Sequence, residues 1–161
     1  MRPGIALIGL LVCLLSGIWI ICPGLPARAA TTERIVVNRF NGVAIEGFDP
    51  VAYFVDGTAV QGTAEFEANL WDAVWRFRNE GNRASFLAHP EIYGPQFGGY
   101  DPVDIARGVT VAGNPRLFVI AAQRLYLFSR ESNRDAFAAN PERFLHEVGK
   151  RWPALQDKLS Q

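Results

Sequence analysis

Two stretches of this chain repeat one another: GFDPVAYFVDGTAVQG followed by VWRFRNEGNRASFLAHPEIY, then GYDPVDIARGVTVAG followed by LYLFSRESNRDAFAANPERF. Phe48-Asp49-Pro50-Val51 pairs with Tyr100-Asp101-Pro102-Val103 at an offset of 52. Gly62, Trp75, Phe77, Asn82, Arg83, Phe86 and Pro90 pair with Gly113, Tyr126, Phe128, Asn133, Arg134, Phe137 and Pro141 at an offset of 51. One residue is lost between the registers and nothing else slips. A unit this short must therefore be a self-consistent piece of structure used twice.

Each unit opens on Asp-Pro-Val. A residue before proline is driven to extended backbone, and proline suits the first helical position, so Asp49 and Asp101 read as N-caps of short helical turns. Alternation follows: Phe66, Ala68 and Leu70, a turn at Asp72-Ala73, then Val74 to Phe77, which reads as a hairpin. Leu117 to Ala121 and Arg124 to Phe128 repeat it around Ala122-Gln123. Helices are predicted over Glu80 to Ala88 and Arg130 to Ala139, capped by Asn79 and Ser129, with Pro90 and Pro141 beyond their ends. Upstream, Ile35-Val36-Val37 reads as a strand. Downstream, Phe144, Leu145, Val148 and Trp152 share helical spacing, and Pro153 is expected to interrupt that helix.

A lone hairpin cannot bury its own apolar face, so the two copies must share a core. The expectation is an α+β fold: two tandem helical-turn/β-hairpin/helix units in a pseudo-two-fold arrangement, plus a C-terminal helix. The units span about 47–93 and 99–144, with a tail over 145–161, inside a domain of 30–161.

Residues 1–29 stand apart. Arg2 precedes an uncharged run from Ile5 to Ile21, helix breakers follow, and Ala27-Arg28-Ala29 offers the small residues a signal peptidase accepts. The segment reads as a signal peptide or, uncleaved, as a membrane anchor, which places the domain in the periplasm or outside the cell. Both cysteines, Cys13 and Cys22, lie within it, so the exported portion can form neither a disulfide nor a thiolate metal site. Cleavage removes Arg2 and Arg28 from a chain of 16 basic and 16 acidic residues, leaving an excess of acids. That balance argues against nucleic acid as a partner.

The words GFDPVAYF, WRFRNEGNRASFLAHPEIY, YGPQFGGYDPV and LYLF, in this order, resemble the YHS-domain family over most of the exported portion, and Arg151-Trp152-Pro153-Ala154-Leu155 resembles the family's tail. The resemblance implies a small exported or modular domain, with metal binding associated with a cysteine at the start of the second unit. Here that position is Asp101, after Gly98-Gly99-Tyr100, so a soft-metal thiolate site is not carried over.

The candidate ligand-binding residues are Asp49, Asp101, Gly98, Gly99 and Tyr100. If a pseudo-axis brings Asp49 and Asp101 together, they pair as ligands for a hard divalent cation or as an acid and base; otherwise they are two helix caps, with Asp104 a favourable first-turn acid. Gly98 and Gly99, at the junction between copies, permit a tight crossover or expose amides to a ligand. His89 and His146 lack metal-ligand spacing, and no serine lies in a nucleophile elbow. Arg83 and Arg134 have i,i+3 partners in Glu80 and Glu131. Trp71, Trp75, Tyr53, Phe97 and Tyr100 read as core aromatics. Three functions fit: a non-enzymatic binding module for a metal ion or small ligand at the interface of the copies, a carboxylate acid/base enzyme, or a structural domain that binds an envelope protein.

Overall fold

The computed structural model describes residues 34–159, and the leader assigned to residues 1–29 lies outside them. The fold is mixed α+β. Among the described residues it holds two separate antiparallel hairpins and six helices: α1 (Ala52–Val55), β1 (Thr63–Leu70), β2 (Ala73–Phe77), α2 (Glu80–Ala88), α3 (Pro90–Tyr93), α4 (Pro102–Ala106), β3 (Asn114–Ala121), β4 (Arg124–Phe128), α5 (Glu131–Ala139) and α6 (Pro141–Leu159).

The hairpins match in detail. Thr63 opposes Phe77 and Asn114 opposes Phe128; each register then shifts once before resuming at Glu67 with Arg76 and at Phe118 with Leu127. Each ends in a two-residue loop with both φ values positive, at Trp71 (55°) and Asp72 (58°) and at Ala122 (47°) and Gln123 (58°). This backbone twist joins antiparallel strands well but normally selects Asn and Gly. Four ordinary side chains adopt it here, each at about 1 kcal/mol. The first loop thus comes one residue earlier than the Asp72-Ala73 position taken from the sequence.

Asn79 caps α2 as expected, its side chain accepting the Asn82 N–H at 2.8 Å. Ser129 does not cap α5. The N-cap position belongs to Arg130, which makes no side-chain capping bond, while Ser129 turns inward to buried carboxylates. Pro90 and Pro141 open the next helices rather than merely ending the previous ones. α6 consequently begins before the assigned tail, and it continues through Pro153 to Leu159. Trp152, Leu155 and Leu159 pack against Tyr100, Ile105 and Val148, and this burial offsets the backbone bond that proline removes. The Ile35–Val37 segment is not a strand: it contributes one bridge, Val37 with Ala44, and a bond from the Val36 N–H to the Gly98 carbonyl.

Strand β4 lies at the centre of the packing. Leu125 and Leu127 join the cluster of Ile45, Tyr53, Trp75, Phe77 and Phe86, while Tyr126 and Phe128 pack with Val103 and Phe137. Tyr53 reaches the second hairpin as well: its hydroxyl donates to the Pro115 carbonyl at 2.8 Å and its ring meets Phe118 edge-on at 4.8 Å. Burial, with the charge of Asp49 nearby, pushes the Tyr53 phenol up, so it remains a neutral donor.

Candidate functional site

Asp49 and Asp101 are both fully buried. Asp49 Oδ1 accepts the N–H groups of Val51 (2.9 Å) and Ala52 (3.3 Å), and Oδ2 accepts the Arg78 N–H (2.9 Å) and the Asn82 side-chain amide (2.7 Å). Asp101 Oδ1 likewise takes Val103 (2.8 Å) and Asp104 (3.4 Å), and Oδ2 takes the Ser129 N–H and hydroxyl (both 2.8 Å) and Asn133 Nδ2 (2.7 Å). One carboxylate in each half therefore bonds the chain entering a helical turn, the end of a hairpin and the following helix. Asp101 is the N-cap of α4 as expected, whereas α1 starts later, with Val51 at its N-cap position, so Asp49 braces the turn ahead of it. Among the described residues the two aspartates share no donor. A cation would have to displace these amides, and no group of three His, Cys, Asp or Glu able to hold a metal occurs among the described residues.

The second half adds an acid. Asp104 is 2% exposed; its Oδ1 accepts Arg107 (2.9 Å) and Arg130 (2.8 Å), and its Oδ2 accepts Asn133 Nδ2 (3.1 Å) and lies 2.9 Å from Ser129 Oγ, whose one hydrogen it shares with Asp101. Burial alone would raise this carboxyl, but the bonds from Ser129, Asn133 and Arg107 and the charge of Arg130 outweigh it and hold Asp104 below the usual range. A general acid needs the opposite shift. Arg83 pairs with Glu80 at 2.7 Å as expected, whereas Arg134 takes Asp135 (2.9 Å) instead of Glu131. His89 and His146 sit beside Glu91 and Glu147 at the surface.

The junction glycines lie at a different kind of place. Gly98 has φ 65°, and a side chain there would collide with the Arg34 carbonyl, so both conformation and space demand glycine. Beside it opens a cleft of about 460 Å³, within the size range of small-molecule sites. Phe97 and Gly98 form one side, Trp71 and Asp72 project from the first hairpin loop, and Trp152 and Gln156 descend from α6. Arg34 also borders it. Phe97 and Trp152 meet edge-on at 5.6 Å. Gly99 is buried, and Tyr100, 7% exposed, stacks obliquely on Trp152 at 6.1 Å and borders a separate, smaller hollow.

Trp71 is the residue that sequence analysis misplaced. Trp75 and Tyr53 are core, but Trp71 is 45% exposed. Its ring packs edge-on against Trp75 (6.1 Å) and Phe86 (6.2 Å), and a Cβ at Gly94 would press on it at 2.9 Å. A bulky side chain in left-handed backbone is held there by tertiary packing. Two further hollows also border Trp71, one lined by Phe97, Glu91 and Arg124 and the other by Asp72 with no second aromatic ring.

Comparison with protein-family models, with curated proteins and with solved structures returned no match.

Proposed function

We propose that this chain is an exported, non-enzymatic binding module of the YHS type, and that its ligand is a small molecule held in the cleft between the Trp71 loop, the Phe97–Gly98 junction and α6. The cleft itself carries the proposal: three aromatic side chains from segments far apart in sequence converge at the junction between the two repeated units, beside a glycine that geometry requires. Sites that bind small ligands combine aromatic walls with a few polar groups in this way.

The YHS assignment rests on the motifs quoted above. It is supported by the parallel roles of Asp49 with Asn82 and Asp101 with Asn133, and by the matching bonds from Gly62 to Gly47 and from Gly113 to Gly99, each 2.9 Å. On this proposal the duplicated units are related by a pseudo-two-fold and share a core through β4. Asp49 and Asp101 then hold the frame, and ligand binding falls to residues that the duplication does not match.

The test is a small-molecule panel screened against the full-length chain by thermal shift and tryptophan fluorescence. At least one compound should raise the melting temperature and perturb emission, with both effects lost in Trp71→Ala. A silent panel, or binding indifferent to Trp71→Ala, overturns the proposal.

A further inference from the structure

The cleft's charges narrow the ligand class. Its aromatic faces come from Trp71, Phe97 and Trp152, and two of the three are indoles, the side chains whose π-faces attract cations best. Asp72 lines the cleft from the hairpin loop next to Trp71, and Arg34 lines it from the N-terminal segment, its backbone carbonyl against Gly98. Residues of opposite charge thus line one aromatic cleft from different elements. A neutral apolar ligand would use the rings and neither charge. A simple anion would meet Asp72 and the negative faces of the rings.

Resting on the ligand-cleft reading above, we infer that the ligand is a small zwitterion whose bulky, alkylated ammonium group sits among Trp71, Phe97 and Trp152 beside Asp72, with its carboxylate toward Arg34. Alkylated ammonium suits the site because its charge is spread over methyl groups, which contact aromatic faces without losing strong hydrogen bonds to water. A guanidinium in turn offers a planar pair of donors to a carboxylate.

Isothermal titration of the full-length chain with four probes tests this: glycine betaine, choline, its neutral isostere 3,3-dimethylbutan-1-ol, and indole. Glycine betaine should bind most tightly, choline next, and the isostere at least about tenfold more weakly than choline. Trp71→Ala and Asp72→Asn should each weaken both ammonium probes by about tenfold. Arg34→Gln should weaken glycine betaine by about fivefold and leave choline unchanged, which separates the carboxylate end from a general loss of structure. Circular dichroism of each variant checks folding. An isostere that binds as well as choline, or ammonium binding unaffected by Asp72→Asn, overturns the inference. Trp71-dependent binding of indole alone overturns the zwitterion and leaves the cleft as a ligand site. No Trp71-dependent binding of any probe also overturns the inference, and the cleft proposal falls with it if the broad panel is silent as well.

Discussion

The two halves hold the same carboxylate in different company. Around Asp49 all four donors are neutral, and the next position along the helical turn, Ala52, is buried and inert. Around Asp101 the donors are neutral as well, but the matching position is Asp104, which lies beside Ser129 and Asn133 together with Asp101 and alone takes Arg107 and Arg130. A buried carboxylate can thus be accommodated either by backbone and amide donors or by charge pairing, and one frame tolerates both. The second solution needs arginines whose side chains remain about half exposed, so its charge is balanced at the surface.

Exchanging features between the halves should break this equivalence. The largest effect is expected from Ala52→Asp, which puts the second half's acid where the positions matching Arg107 and Arg130 hold Val55 and Asn79 and where Arg78 is already paired with Asp56. An uncompensated buried charge costs about 3–5 kcal/mol, visible in urea denaturation as a lower midpoint or as failure to fold. Next come the aspartates themselves. Asp49→Ala removes the acceptor of the Val51 and Ala52 N–H groups and strands the Asn82 amide, a loss of about 3 kcal/mol. Asp101→Ala should cost about 1 kcal/mol less, because Asp104 still accepts from Ser129 and Asn133. Equal losses would show that Asp104 does not share the load.

The smallest effect is a pH dependence carried by Asp104. The folded-state carboxyl of Asp104 lies below its ordinary value of 3.8, so its contribution to stability is present above that value and is lost as pH falls through the depressed one. Melting temperatures followed from neutral pH down past pH 4 should fall more steeply for wild type than for Asp104→Asn. Parallel curves would place the acid sensitivity elsewhere.

Local signals in the sequence carried much of this architecture. Asp-Pro-Val marks both helical turns, Asn79 its helix and Ala122-Gln123 its loop, because each depends on neighbours a few residues away. The failures share a different cause. Pro153 stops a helix only when nothing else holds it, and here α6 is held by burial of Trp152, Leu155 and Leu159. Ser129 has a cap's chemistry but lies one residue too early, and the matched pair Asn79 and Arg130 would have revealed that. Asp49 reads as a cap but sits two residues ahead of the Val51 N-cap, and its second oxygen reaches Arg78 and Asn82, far along the chain. The cleft was hardest to foresee. Its walls come from four separate segments, and Trp71 looks like any strand aromatic until the loop turns it outward.

Strand β4 has a consequence for the order in which the molecule can be made. The cluster that begins at Ala44 is completed by Leu125 and Leu127, near the other end of the domain. A growing chain that already carries the whole first hairpin still lacks the side chains that close its interior. Its N-terminal portion cannot complete that cluster until β4 has been made.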